Sequence, residues 1–174
     1  YGNHYSPSIA YIVEGQFMLK NGRVTDKADF SEFINKYDSQ MLVFKQVFGC
    51  SGETVKVVKI EKGKILAGED VFTANEFLSL LTSVKASSWI VQNYISQHQE
   101  MMKLNETSVN TLRFVTYHLG DSIYVYPIIM MRYGLPGALV DNSSLGVGVD
   151  INGIVMEYAF DLKKKERKPC HAAG

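Results

Sequence analysis

Residues 89–117 read WIVQNYISQHQEMMKLNETSVNTLRFVTY. Two strand-like runs, 89–95 and 112–117, flank a polar connector that ends at Ser108-Val109-Asn110-Thr111. Mid-strand positions normally take Val, Ile or Phe, so Gln92, Asn93, Asn110 and Arg113 are out of character there. An arginine buried in such a strand needs an anionic partner, because an unpaired buried charge is costly. No acidic residue stands nearby at strand spacing, which leaves a distant side chain or a bound anion. For this stretch taken alone, a salt bridge across the sheet is the plainer reading.

What precedes it adds a second cation. Residues 41–47, MLVFKQV, form a strand pattern centred on Lys45, and 54–60, TVKVVKI, form another. Between them Phe48-Gly49-Cys50-Ser51-Gly52 is a turn, and Glu61-Lys62-Gly63-Lys64 leads into a third short strand at Ile65-Leu66. A lysine followed by Gly-x-Ser-Gly puts a mobile ammonium beside backbone N–H groups that can wrap an anion. The loop is not a Walker A sequence, and Glu53 excludes a nucleophile elbow. By itself it is more often a hairpin turn than a phosphate site.

Farther out, 9–13 and 16–19 are extended, with turns at Gly15 and Asn21-Gly22. Asp29 and Glu32 are spaced as a capping box ahead of Phe30, Phe33, Ile34 and Tyr37, which predicts a helix. Thr73 and Glu76 repeat the pattern ahead of Phe77, Leu78, Leu80, Leu81 and Val84, a core-facing stripe ending near Lys85. Strands follow at 122–131 and 146–151, and Asn152-Gly153 turns the chain into 154–160. Many strands and few helices give an α+β fold with a largely antiparallel sheet.

With 174 residues, 46% of them hydrophobic and 21% charged, the chain is that of a folded domain. Eighteen basic and eighteen acidic residues balance, which argues against a nucleic-acid or membrane surface. The basic run from Lys163 to Lys168 is read as a solvated connector. The apolar run 123–131, broken by Pro127, is too short to span a bilayer. Cys50 and Cys170 lie far apart without metal-ligand spacing, and with no signal peptide visible the expected setting is reduced and cytoplasmic. His4, His98, His118 and His171 form no metal-binding set. A first residue of Tyr suggests an internal cut.

The order of these features resembles the ATP-grasp superfamily, in its sugar-transfer-associated, alpha-L-glutamate-ligase-related branch. The resemblance runs from about Gln16 onward. It is carried by the lysine strand and glycine loop, by the QxYIxQH strand (92–98), by SVNTLR (108–113), and by Arg132, Asp141-Asn142 and Gly146. It implies two α+β subdomains around a nucleotide cleft, a lysine/glycine-loop subdomain over 1–95 and the start of a C-terminal subdomain over 96–174.

The resemblance also implies roles. Lys45 would contact the α- and β-phosphates of ATP, and Gly49, Cys50, Ser51 and Gly52 would close over the triphosphate. Gln92, Asn93, Tyr94 and Ile95 would read the adenine edge. Arg113, with Arg132, would face the γ-phosphate or an acyl-phosphate. Asn110, Asp141 and Asn142 would help orient them. The implied reaction joins a small-molecule carboxylate to an amine or thiol, with Mg²⁺ as the metal, and the branch name points to polysaccharide or sugar-conjugate synthesis. Departures are Asn93, where an acidic residue is frequent, and Gly146-Val147, where a double glycine is usual. The metal ligands are expected downstream of the chain and the first adenine-side lysine upstream, so the chain alone is expected to be inactive. A nucleotide-binding scaffold without catalysis is the alternative.

Overall fold

The computed structural model describes residues 7–25, 27–48, 54–83, 88–141, 145–161 and 164–169. The chain divides into two units, Tyr1–Ile95 and Ser96–Gly174.

In the first unit, alternating apolar and polar residues make strands with one dry face, and two helices cover it. The elements are β1 (Ser8–Val13), β2 (Gln16–Leu19), β3 (Val24–Thr25), α1 (Lys27–Lys36), β4 (Met41–Gln46), β5 (Val55–Glu61), β6 (Lys64–Ala67), β7 (Asp70–Phe72), α2 (Ala74–Thr82) and β8 (Trp89–Asn93). They form one antiparallel sheet in the order β3-β2-β1-β8-β4-β5-β6-β7. The last strand in sequence therefore sits at its centre, between β1 and β4. Leu42, Phe44, Val58, Ile60, Ile65 and Val91 bury against Phe30, Phe33 and Ile34 of α1 and Phe77, Leu78 and Leu81 of α2. Edge-on rings lock the layers, with Phe44 and Phe77 5.1 Å apart and Phe17 and Phe30 5.0 Å apart. Trp89 closes the core and donates its indole N–H to Leu81 O at 2.9 Å.

The capping box at α2 is present: Thr73 Oγ1 accepts from Glu76 N at 3.3 Å, and Glu76 Oε2 accepts from Thr73 N at 2.7 Å. The helix ends at Thr82 with Ser83 as C-cap, short of the expected end. The box expected at Asp29 is corrected. Helix α1 already runs from Lys27, so Asp29 lies inside its first turn, where its charge complements the helix dipole instead. The short strands β3 and β7 were not expected, being too brief to show a period.

The second unit holds α3 (Gln99–Met102), β9 (Thr111–Arg113), β10 (Thr116–Leu119), β11 (Ser122–Val125), β12 (Ile128–Tyr133), β13 (Leu145–Asp150), β14 (Val155–Asp161) and β15 (Glu166–Pro169). An antiparallel sheet runs β15-β14-β13-β12-β9, and β10 and β11 form a separate hairpin. The single strands expected over 112–117 and 122–131 are each split. Arg113 pairs with Met130 but Thr116 pairs with Val125, so the register jumps where Pro127 cannot donate to a ladder. Tyr126 N–H still bridges to Val115 O at 2.9 Å.

The Asn152-Gly153 turn connects β13 and β14, with Gly153 at φ 85°. Asp150 holds this turn, accepting from Asn152 N at 2.9 Å and Ile154 N at 2.8 Å. Those donors, Ile154 first, keep its carboxyl below the ordinary value of 3.8. The expected basic connector is in part strand β15, tied by Lys168 to Asp161 at 3.6 Å. The core here is small: Tyr133, Leu145, Val147 and Ala159, with Met131 against them.

Candidate functional site

Strand alternation gives the first sheet a second face, opposite the one on which α1 and α2 pack. Lys45 stands on it, exposed, directly opposite Val55 on β5 and Ile90 on β8. Ile90 in turn faces Tyr11 of β1. One row further along β4, Val43 lies between Val57 and Gln92. Gln92 is thus a diagonal neighbour of Lys45 on the same face, within reach of a long side chain. The result is one ammonium and one amide set among half-buried apolar side chains. That surface suits a ligand with a flat apolar part and an anionic part.

Asn93 is placed differently. It pairs with Leu42, whose side chain points to the helix-covered face, so Asn93 lies on the face opposite Lys45. Flanked by β1 and β4, β8 spends its backbone on the sheet. Past the strand, Tyr94 N–H is taken by Met41 O at 3.2 Å, and Ile95 is exposed. Gly49, Cys50, Ser51 and Gly52 lie outside the described residues, as does Asn142.

In the second unit the register puts both arginines on one face of the sheet. Thr111 is opposite Arg132 and Arg113 opposite Met130, which makes the arginines diagonal neighbours. Their environments differ. Arg113 is exposed, whereas Arg132 is 6% exposed. The need for an anion therefore falls on Arg132 rather than Arg113, and Asp141 meets it. Arg132 Nη2 lies 4.0 Å from Asp141 Oδ1 and donates to Asp141 O at 3.3 Å. The Thr111 hydroxyl donates to the other oxygen, Asp141 Oδ2. Thr111, Arg132 and Asp141 make a clasp between two strands and the loop ahead of β13. Arg113 stays beside it, with no ion-pair partner among the described residues.

Asn110 is buried and directed inward, its Nδ2 donating to Met101 O at 2.7 Å and Asn105 O at 3.5 Å. Its N–H donates to Gln97 Oε1 at 2.8 Å, and Gln97 Nε2 donates to Asn105 O at 2.7 Å and Ser108 O at 3.2 Å. Gln97, Asn105 and Asn110 thus satisfy the backbone of the connector that precedes β9. Sequence reasoning did not single out Asn105, and it quoted Gln97 only as part of the QxYIxQH run, with no role of its own. The available signal was a run of amide and hydroxyl residues in a connector too long for a hairpin loop.

A family model described as sugar-transfer associated ATP-grasp matches residues 7–173. The chain belongs to this family. No curated protein and no solved structure matches it. Membership points to an enzyme of the ATP-grasp ligase kind. In this ATP-grasp chain, Gly146-Val147 has a packing reason: the Val147 side chain is 1% exposed in the second core, where a second glycine would leave a gap. A Cβ on Gly148 would sit 2.2 Å from Met156 Sδ, the far end of a flexible, half-exposed side chain that can move aside. Among the described residues no group of three His, Cys, Asp or Glu side chains could hold a metal ion. None of their helices is long and apolar enough to cross a membrane.

Proposed function

We propose that the chain is the nucleotide-handling part of an ATP-dependent ligase that joins a small-molecule carboxylate to an amine or thiol. The observation that carries this reading is Lys45, an exposed ammonium bordered by apolar side chains on the face of the first unit's sheet opposite its helices, in a chain of the ATP-grasp family. On that face the base of ATP would lie over the half-buried Val43, Val57 and Ile90, with Gln92 as a hydrogen-bonding side group and Lys45 on the α- and β-phosphates. The glycine loop after β4 would supply backbone N–H groups to the same phosphates. Arg113 would meet the γ-phosphate, since it is exposed and its planar fork matches phosphate oxygens two at a time. Arg132, held by Asp141, would stand beside it as a fixed positive charge.

ATP would supply the activation: transfer of its γ-phosphoryl to the carboxylate gives an acyl-phosphate and releases ADP, and the nucleophile then attacks the acyl carbon and displaces phosphate. The protein's share is to position the phosphates and offset charge that builds on them during transfer. Mg²⁺, when bound, would supply further neutralisation of charge on the phosphates. The family's description as sugar-transfer associated supports an acceptor in polysaccharide or sugar-conjugate synthesis.

Calorimetry of Mg-ATP binding to the intact protein tests this. Lys45→Ala and Arg113→Ala should each weaken binding about tenfold or more, the size of one lost charge-assisted contact, without shifting the unfolding midpoint. Equal affinity in wild type and both variants would remove the assignment. A second reading, a nucleotide-binding scaffold, is favoured by the Asp141 clasp, which already occupies Arg132. It predicts ATP binding without turnover.

A further inference from the structure

We infer that Asn105 is the positioning residue for both arginines, and that it acts through a polar pin joining two loops of the second unit. This rests on the reading of Arg113 as a γ-phosphate contact. Asn105 is only 7% exposed, yet no strand or helix contains it. Its Nδ2 donates to Ser108 Oγ at 2.8 Å and to Leu135 O at 3.5 Å. Its Oδ1 accepts from Thr107 N at 3.1 Å, and the Thr107 hydroxyl lies 2.9 Å from both Asn105 Oδ1 and Ala138 O.

The two loops so joined have definite destinations. One runs straight into β9 and Arg113. The other leaves β12 just after Arg132 and ends at Asp141, the carboxylate that holds Arg132. Leu135 O and Ala138 O belong to the second loop, and Thr107 and Ser108 to the first. A single amide therefore sets the loop leading to one arginine against the loop that carries the other arginine's counter-ion. Gln97 supports it from behind through Asn105 O.

The fit around the pin is close. A Cβ on Gly134 would lie 2.2 Å from Ser108 Oγ and 2.6 Å from Asn105 Nδ2. Even one methyl group there must displace the pin. Gly134→Ala thus disturbs the same contact from the opposite side and by different chemistry than a change at Asn105. Thr107→Val is the mildest change, close in shape to threonine and lacking only the hydroxyl between Asn105 and Ala138.

Loss of stability alone cannot be the readout, so the test is discrimination between ATP and ADP, which differ only in the phosphate assigned to Arg113. Affinities of ATP and ADP are measured by calorimetry on the intact protein for wild type, Arg113→Ala, Asn105→Ala, Gly134→Ala and Thr107→Val. Arg113→Ala should lower the ATP-over-ADP ratio about tenfold. Asn105→Ala and Gly134→Ala should approach that loss, and Thr107→Val should give a smaller loss in the same direction, all with ADP affinity kept. A wild-type ratio in Thr107→Val and in whichever of the other two folds, alongside a lowered ratio in Arg113→Ala, overturns the role of Asn105 and leaves the γ-phosphate reading standing. An unchanged ratio in Arg113→Ala overturns both.

Discussion

The two units are stabilised in opposite ways. Among the described residues the first has seventeen buried apolar residues in one cluster, and the second has four. The second compensates with buried polar groups, Asn105, Ser108, Asn110, Arg132 and Asp161, none of which has a counterpart among the described residues of the first. It also leaves Leu112, Leu119, Ile123, Ile151 and Ile154 at least half exposed. Apolar burial is nondirectional, so one dry sheet face packed under two helices is enough to hold the first unit's shape. A polar network is directional, and each member is costly to leave unsatisfied. The second unit therefore gains defined side-chain positions and loses tolerance to substitution.

The largest expected effect probes the first unit. Phe77→Ala removes a fully buried ring that packs on Phe44 and Phe72, and should cost about 3–5 kcal/mol in denaturant unfolding. A loss below about 1 kcal/mol would mean that the aromatic layer is not what holds this unit. In the second unit Asp141→Ala leaves the Arg132 charge buried without its carboxylate. We expect a loss of about 3 kcal/mol, followed by the same method, with Arg132→Met in the same background recovering part of it. No recovery would show that the clasp works through Thr111 rather than through charge.

Smaller effects test local devices. Thr73→Ala should cost about 1 kcal/mol through loss of the cap on α2. The cap also makes stability depend on pH. Hydrogen bonds from the Thr73 backbone and then its hydroxyl hold the Glu76 carboxyl below its ordinary 4.5. Its contribution is therefore complete above about 4.5, the unfolded value, and fades as pH falls through the lower folded value. Unfolding midpoints of wild type and Glu76→Gln should differ at pH 7 and converge toward pH 3. A constant gap would exclude the ionised cap. The smallest change is expected for Lys45→Ala and Arg113→Ala, exposed residues whose removal should move stability by less than about 0.5 kcal/mol. Thermal unfolding without nucleotide checks this.

Local chemistry was legible in the sequence where it depends on near neighbours. The Thr73–Glu76 box, the Asn152-Gly153 turn, the lysine strand and the antiparallel character of the sheets all depend on residues a few positions apart. That Lys45 and Gln92 share a face follows from the period of two only once β4 and β8 are seen to pair. The same rule puts Asn93 on the other face, a consequence visible only once β8 is seen between β1 and β4.

Tertiary structure decided everything that depends on distant partners. Arg113 and Arg132 look alike in sequence, and only the pairing of β9 with β12 shows that one is exposed and the other buried. Asp141 becomes the counter-ion of Arg132 because a loop folds back, not because of its spacing. The pin at Asn105 joins residues about thirty positions apart, as its contact with Leu135 shows. Local propensity acts over a few residues, whereas burial and ion pairing are settled by whichever segments the sheet brings together.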